Sequence, residues 1–264
     1  MQDRTVILIH GMWSTGSTLF TLRRRLEERG YHVYSPNLPW HEDGIQDSES
    51  KVAGMSILDY TDYLKDYIIS LKLEKSPILI GHSMGGLLAQ KLSALIEASA
   101  LVLLCPAQPW GINIITPTGV WTTFNVSAKW RFWSKSHRPT LYRAKYGIFN
   151  ILDRETQIKV YDRLIPESGR AYFEIVFWFL DRQKATRVPT KEIATPILAI
   201  AGGKDRLIPP RIVKKIAEHY PKADYRCYPD QTHWLIDEPG SEEIVNDIDA
   251  WLKSKLEEDS RVIS

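Results

Sequence analysis

Six short apolar runs alternate with longer segments of helical period along the 264 residues of this chain. The apolar runs are strand candidates and lie at residues 5–9, 32–35, 78–80, 101–104, 197–201 and 225–228. Apolar residues at three- and four-residue spacing predict helices at residues 18–29, 56–71, 84–97, 211–220 and 242–256. Strands that alternate with helices predict an α/β protein with a mostly parallel sheet of about six strands and helices on both faces.

One interval between strand candidates is about ninety residues long, far more than an ordinary crossover connection needs. It holds six of the seven phenylalanines and five of the nine tryptophans, a composition that packs onto a core rather than staying disordered. We therefore predict a helical cap at residues 110–190, inserted after the fourth strand above the carboxyl edge of the sheet. Residues 1–109 and 191–264 then form the core.

The composition argues against several classes of protein. A formal net charge of +2 gives no general reason to expect nucleic-acid binding. No run approaches the ~18 apolar residues of a membrane span, and the apolar run near the amino terminus is too short for a signal peptide. Two cysteines, Cys105 and Cys227, do not make a disulfide framework. We expect a cytoplasmic protein.

The pentapeptide GHSMG at residues 81–85 stands where an apolar strand candidate meets a helical segment. A chain that turns from strand to helix within two residues strains its central serine and needs small neighbours. The turn raises the serine hydroxyl above the sheet, and the helix beyond it presents free N–H groups to a developing negative charge. The pattern predicts that Ser83 is a nucleophile.

A serine hydroxyl becomes a good nucleophile when an imidazole takes its proton and a carboxylate holds that imidazole. Asp205 follows the fifth strand candidate directly, and His233 lies in the loop after the sixth. Because parallel strands end at one edge of a sheet, we expect these side chains to meet Ser83 there. Asp181 and Asp230 are alternative acids.

The motifs resemble those of the α/β-hydrolases, in particular the serine carboxylesterases and monoacylglycerol lipases. VILIHGMW (6–13) resembles the oxyanion loop of that family, LIGHSMGG (79–86) its nucleophile elbow, and IAGGKDRLIPP (200–210) its acid turn. The resemblance also implies that the fifth strand separates the fourth from the sixth. Cys105 and Cys227 would then lie too far apart to form a disulfide.

The resemblance implies a role for each motif residue. Ser83 would be the nucleophile, His233 the general base and Asp205 the acid that orients it. The backbone N–H groups of Met12 and Met84 would form the oxyanion hole. One departure from the family is Thr232, because glycine often precedes the catalytic histidine.

An aromatic surplus above a serine nucleophile favours an apolar pocket that takes acyl chains or aromatic esters. Most aromatic residues of the cap are expected to pack it onto the sheet. The candidates for substrate contact are Trp13, Trp110, Trp130, Trp178 and Trp234.

The run KWRFWSKSHRPTLYRAK, from Lys129 to Lys145, contains six Lys and Arg and no acidic residue. It is interpreted as an exposed basic face, as a weak contact with anionic lipid headgroups through Trp130, Phe132 and Trp133, or as a nucleic-acid contact. Neither net charge nor motif supports the last. We expect this run to rim the pocket mouth and to favour lipidic or negatively charged esters.

The expected reaction is hydrolysis of carboxylic esters with apolar acyl or aromatic groups through an acyl-enzyme, and no metal or organic cofactor is implied. Thioesterase, C–C hydrolase, lyase and acyltransferase chemistry stay open, as does a small-molecule receptor without turnover. A loop with His41, Glu42, Asp43 and Asp47 lacks the spacing of metal ligands, so we expect a solvated acidic loop.

Overall fold

The computed structural model describes residues 4–42 and 48–262, with a six-stranded sheet at the centre. The strands are β1 (Arg4–Ile9), β2 (Tyr31–Tyr34), β3 (Ile78–His82), β4 (Ala100–Leu104), β5 (Ile197–Gly202) and β6 (Ala223–Tyr228). Their order is β2-β1-β3-β4-β5-β6, and each neighbouring pair is parallel. The predicted six-stranded sheet is confirmed, and β5 separates β4 from β6 as the resemblance implies.

Helices cover both faces of the sheet and fill the long interval after β4. In the described part of the chain they are α1 (Phe20–Glu27), α2 (Ser48–Val52), α3 (Ile57–Ser70), α4 (Met84–Leu92), α5 (Pro117–Ser127), α6 (Leu141–Gly147), α7 (Arg154–Asp162), α8 (Gly169–Val176), α9 (Pro210–Ala217) and α10 (Ser241–Val262). The shorter 3-10 helices are Gly16–Leu19, Phe132–Ser134 and Trp178–Leu180. None of the helices within the described ranges has the length and hydropathy that crossing a membrane requires.

Helix α4 ends earlier than the periodicity at residues 84–97 predicts. After Leu92 the backbone changes to hydrogen bonds between residues three apart, from Ala94 N–H to the Lys91 carbonyl and from Leu95 N–H to the Leu92 carbonyl. This tightening ends the α-helix although apolar residues continue at helical spacing.

Two hydrophobic cores lie on the two faces of the sheet, because successive strand residues point in opposite directions. Ile7 and Leu101 belong to the core that includes residues of α3, α4 and α9. Their neighbours Leu8 and Val102 belong to the core that includes residues of α1 and α10. Strands β3, β4 and β5 are buried along their whole length, which is why they read as continuous apolar runs in the sequence.

Residues 110–190, here called the cap segment, contain α5 to α8 and a short antiparallel pair formed by Ser136–His137 and Glu167–Ser168. Part of this segment packs on an aromatic centre in which Phe132 and Tyr172 are buried. The helical content fits the predicted cap, and its boundaries at 110 and 190 stay predictions.

A buried ion pair joins the cap segment to the core. His41 Nε2 lies 2.9 Å from the Glu167 carboxylate, and both side chains are almost completely inaccessible to solvent. The Tyr60 hydroxyl and the Ser168 N–H donate to the other carboxylate oxygen at 2.6 and 2.7 Å, and His41 Nδ1 donates to the Pro39 carbonyl. Burial by itself lowers the pKa of His41, but the Glu167 charge and the hydrogen bonds of the imidazole to Glu167 and to the backbone raise it above its ordinary value.

The expectation of a solvated loop was therefore wrong for His41, because its imidazole is buried against a carboxylate from a distant segment. Glu42 is exposed as expected. Asp43 and Asp47 lie outside the described residues.

A second carboxylate links the cap segment to α3. Glu174 of α8 accepts hydrogen bonds from the Ser56 hydroxyl at 2.9 Å and from the Ile57 N–H at 2.8 Å. These donors stand at the amino end of α3, where the first N–H groups have no partner within the helix. The carboxylates of Glu167 and Glu174 thus attach the cap segment to the core, because they accept hydrogen bonds from buried donors that have no access to water.

Replacing Glu167 with Gln is expected to destabilise the protein, because it leaves the buried His41 cation without a counter-charge. The pKa of His41 is raised on folding, so its stabilisation is complete below the unfolded pKa and is lost as pH rises through the folded pKa. We expect Glu167→Gln to lower the free energy of unfolding by about 3 kcal/mol at about pH 6. The expected decrease is only about 1 kcal/mol at about pH 9. Urea unfolding of both proteins at the two pH values measures this.

Glu155→Gln is the matched control, because Glu155 pairs with Lys159 on an exposed helix face. Its urea midpoint is expected to stay unchanged. A loss for Glu167→Gln that does not depend on pH would contradict a charged His41.

Candidate active site

Ser83 occupies a strained corner between β3 and α4, with φ 54° and ψ −118°. Its N–H donates to the Leu104 carbonyl at 2.9 Å, and its carbonyl accepts from the Ala107 N–H at 2.8 Å. A Cβ on Gly81 would lie 2.2 Å from the Gly85 carbonyl oxygen, and a Cβ on Gly85 would lie 2.1 Å from a carbonyl oxygen of β1. Only glycine fits at either position, so the elbow holds the serine in one place.

Three predicted residues meet at the carboxyl edge of the sheet. Ser83 Oγ lies 3.0 Å from His233 Nε2, and His233 Nδ1 lies 2.7 Å from Asp205 Oδ2. The other Asp205 oxygen accepts from the Leu207 and Ile208 N–H groups at 2.7 and 2.8 Å. Because a carboxylate only accepts, the proton sits on Nδ1 and leaves Nε2 free to receive the serine proton.

The two alternative acids lie in other environments. Asp230 forms an ion pair with Lys204 at 2.8 Å and is largely exposed. Asp181 accepts from the N–H groups of Gln183 and Ala185 within the cap segment. Of the three acids, the structure therefore places Asp205 against the imidazole.

Met12 and Met84 both line the cavity that Ser83 faces. Met84 is the first residue of α4, so its N–H is among the four that have no partner within the helix. In the loop that carries Met12, His10 Nε2 accepts from the Leu38 N–H at 3.1 Å. Burial lowers the pKa of His10 to about 3, and the neutral ring holds this loop against the one after β2.

A cavity of about 280 Å³ lies beside Ser83, between the core and the cap segment. Its apolar lining includes Ala107, Ile114, Ile115, Val120, Ile175, Val176, Phe177, Leu207 and Ile208. Besides Ser83, the lining residues that carry a hydroxyl group are Thr116, Thr123, Ser127 and Tyr172. No charged side chain of the described residues lines it, and such a cavity suits the apolar part of a ligand.

Residues 6–246 match the model of the Alpha/beta hydrolase family. The chain belongs to this family. The "Putative esterase/lipase 2" of Mycoplasma pneumoniae is 30% identical over 102 residues, which are 38% of this chain and 37% of that protein. The "Pyrethroid hydrolase" of Sphingobium wenxiniae is 34% identical over 82 residues, 31% of this chain and 27% of that protein. The chain thus matches about a third of the length of these curated relatives.

The fold of this alpha/beta hydrolase is also found among solved structures. The crystal structure of Paleococcus ferrophilus monoacylglycerol lipase is similar with a TM-score of 0.70 at 20% identity. The match covers 95% of this chain and 94% of that one, so the two chains share the fold along nearly their whole length.

A second and much smaller cavity, about 10 Å³, also reaches Ser83 in this hydrolase. Its lining consists of Met12, Trp13, His82, Ser83, Ile148, Leu164, His233 and Trp234. Of the tryptophans predicted to bind substrate, Trp13 lines both cavities and Trp234 lines the small one.

The other three predicted tryptophans, Trp110, Trp130 and Trp178, line neither of these cavities. Trp110 and Trp178 pack against each other, with ring centroids 5.2 Å apart, and Trp130 is 82% exposed. The structure therefore does not bring these three to the cavities at Ser83, and substrate contact by them stays a prediction.

The basic run does not rim the main cavity as expected. No residue of the range 129–145 lines this cavity. The last lining residue before the basic run is Ser127. Phe132, which we expected at a lipid boundary, is buried and packs near Tyr172 and Phe177. Phe132 therefore packs against two residues that line the main cavity and does not line it itself.

Glu238 was not predicted from the sequence, yet it holds the loop that carries His233. Glu238 accepts from the Thr232 N–H at 2.8 Å and from the Thr232 hydroxyl, and that hydroxyl also lies 3.1 Å from the Ile148 carbonyl oxygen. Burial raises the pKa of Glu238, although these hydrogen bonds lower it. The threonine at position 232, where the family often has glycine, could have indicated such a residue, because a buried threonine hydroxyl needs a hydrogen-bond partner.

Cys105, Asp205 and His233 form the one group of three that approaches metal-ligand geometry within the described ranges, with ligand atoms within 4.8 Å of one another. Asp205 and His233 are already bonded to each other. Burial and the Asp205 charge raise the pKa of the Cys105 thiol well above its ordinary value, so it does not offer a thiolate. We assign no metal to this group, and Cys105 and Cys227 are both free.

Glu238→Ala is expected to destabilise the protein by about 1–3 kcal/mol, because the buried Thr232 N–H loses its acceptor. Glu238→Gln keeps an acceptor for the N–H, and its amide N–H can donate to the Thr232 hydroxyl while that hydroxyl donates to the Ile148 carbonyl, so its stability is expected to stay near that of the wild type. Thermal unfolding of the three proteins separates the two variants. Equal losses would show that the hydrogen bonds of Glu238 are not what holds this loop.

Proposed function

We propose that this hydrolase is a carboxylesterase that acts on esters with apolar acyl or aromatic groups. The observation that carries the proposal is the hydrogen-bonded series Ser83, His233 and Asp205 beside an uncharged cavity. The names of its relatives, an esterase/lipase and a pyrethroid hydrolase, support hydrolytic chemistry on esters.

In the proposed acylation step, Ser83 Oγ attacks the ester carbonyl while His233 Nε2 takes the serine proton. Asp205 keeps the imidazole oriented and stabilises its charge. The N–H groups of Met12 and Met84 stabilise the oxyanion. His233 then gives the proton to the leaving alcohol, which yields the acyl-enzyme. These steps use only side chains and backbone amides, so we propose no metal or organic cofactor.

The cavity lining supports a neutral substrate. A charged group within the main cavity would lose its hydration and find no counter-charge among the described lining residues. An acyl chain or aromatic ring removes apolar surface from water at the same place and so gains free energy. We therefore propose neutral acyl groups rather than the negatively charged esters that the basic run suggested.

Wild-type protein is expected to turn over p-nitrophenyl esters repeatedly, with a maximum rate at an intermediate chain length in a series from acetyl to palmitoyl. Ser83→Ala is expected to lose about 10⁴-fold or more in kcat, because no nucleophile remains. Ser93→Ala, which removes a hydroxyl just beyond α4, is the control and should retain full activity. Release of p-nitrophenol measures all three proteins.

Equal activity of wild type and Ser83→Ala would show that Ser83 is not the nucleophile. If both are inert, the ester assignment fails, and thioesters, C–C substrates, lyase substrates and acyl acceptors are the next assays. A single turnover followed by tight retention of the ligand would instead identify a receptor.

We propose in addition a weak contact between the cap segment and anionic lipid surfaces. Lys129, Trp130, Arg131, Trp133 and Lys135 are exposed within one short stretch. Basic side chains attract anionic headgroups, and exposed indole rings lie favourably at the boundary between headgroups and acyl chains. This stretch would bring the enzyme to lipidic esters without entering the cavity.

The double variant Arg131→Glu/Lys135→Glu is expected to lower turnover on anionic-lipid dispersions by about tenfold, while turnover of soluble esters stays within about twofold. Lys214→Glu/Lys215→Glu on α9 makes the same charge change at another exposed site and is the matched control. Equal losses on both substrates, or the same loss in the control, would refute the lipid contact.

A further inference from the structure

The small cavity beside Ser83 has the size of one water molecule. Its volume of about 10 Å³ is close to the least that holds a water, and far below what an acyl chain needs. Ser83 and His233, the two residues that carry out the proposed proton transfers, are both part of its lining.

Two further polar side chains that line this cavity have unused hydrogen-bonding capacity. Trp234 Nε1 and His82 Nδ1 are buried and have no hydrogen-bond partner among the described residues. Buried polar atoms without a partner are uncommon in folded proteins, and an ordered water is one explanation for such an atom. Both residues stand next to a proposed catalytic residue in the sequence.

The two atoms differ in what they offer. His82 Nε2 donates to the His233 carbonyl at 2.7 Å, and burial lowers the pKa of His82 to about 3, so the ring is neutral and Nδ1 is an acceptor. Trp234 Nε1 is always a donor. One donor and one acceptor are the partners that a single water requires.

These groups lie close together around the cavity. The ring centroids of His82 and His233 are 5.0 Å apart, and those of His82 and Trp234 are 6.0 Å apart. A Cβ on Gly11 would lie 2.9 Å from Ser83 Cβ and 3.2 Å from His82 Nδ1. The serine and the free acceptor are therefore neighbours on the same side of the oxyanion loop.

We propose that this cavity holds the water that hydrolyses the acyl-enzyme, with the Trp234 indole N–H and His82 Nδ1 as its hydrogen-bond partners. The inference rests on the proposed function, because it concerns the second half of that reaction. The water oxygen forms a bond to the acyl carbon while His233 Nε2 takes one water proton. The bond from the acyl carbon to Ser83 Oγ then breaks, and the proton passes from His233 to Ser83 Oγ as the acid leaves.

Such a water takes part only in deacylation. Acylation uses the substrate ester, Ser83 and His233, and its leaving group is an alcohol. Loss of the Trp234 N–H should therefore slow hydrolysis of the acyl-enzyme and leave its formation unchanged. A residue that merely packs against the histidine loop would affect both steps alike.

Trp234→Phe tests this, because phenylalanine keeps an aromatic ring and removes the N–H. We expect acyl-Ser83 to persist about three- to tenfold longer than in the wild type, the effect of one hydrogen bond. We expect kcat/KM, which reports acylation, to stay within about twofold. Quenched single-turnover reactions with p-nitrophenyl acetate, followed by the mass of the intact chain, give the lifetime of the acyl-enzyme.

Trp251→Phe is the matched control, because it removes an indole N–H that donates to Asp224 and belongs to a residue that lines neither cavity at Ser83. Its acyl-enzyme lifetime should equal that of the wild type. Titration of active sites with the same ester counts the folded fraction of each protein, so poor folding does not mimic a slow step.

An unchanged acyl-enzyme lifetime in Trp234→Phe, or equal losses in lifetime and kcat/KM, would overturn the water site and leave the esterase proposal intact. If Ser83 of the wild type is never acylated, the proposed function fails, and the water site fails with it.

Discussion

Backbone contact between α4 and β1 is the constraint on which the rest of the site depends. A Cβ on Gly85 would lie 2.1 Å from the carbonyl oxygen of Ile9, so the helix begins directly against the sheet. Because it begins so close, the chain turns within one residue, and Ser83 takes a left-handed φ of 54°. Hydrogen bonds of the Ser83 backbone with Leu104, the last residue of β4, and with Ala107 in the following loop hold that conformation. The hydroxyl is thus positioned by main-chain packing, at some cost in strain.

The parallel strand order brings residues that are distant in the sequence to one edge of the sheet. The positions of Ser83, Asp205 and His233 were predictable for this reason. Each strand pair in the sheet is parallel, so residues that follow β3, β5 and β6 reach one edge. Ser83 and Asp205 each follow a strand that is buried along its whole length, and His233 follows the partly exposed edge strand β6. The six strands and their class were predictable because each strand candidate is a local apolar run. Helix ends were less so, because hydrogen bonding after Leu92 changes where the apolar period continues.

Contacts of the cap segment were beyond prediction, since they join residues without a shared motif. His41 and Glu167 lie 126 positions apart, and only their pairing makes either one buried. The aromatic count of the cap segment predicted an apolar cavity but not which rings line it. Arg131 has a left-handed φ of 53°, and around this turn Trp130 faces solvent while Phe132 is buried. The turn at Arg131 thus separates an exposed aromatic residue from a buried one two positions later.

A large and a small cavity meet at one serine, and the proposed acyl-enzyme mechanism gives each of them a use. The main cavity has few polar atoms, so it favours an acyl chain over ordered water. Once an acyl chain fills it, the water that completes the reaction must be bound elsewhere. His82, the last residue of β3, and His233 and Trp234, in the loop after β6, line the small cavity, whereas α5 and α8 build much of the main cavity. Under the proposed mechanism, substitutions in these cap helices change which acyl group fits, while β3 and the loop after β6 keep the hydrolytic step intact.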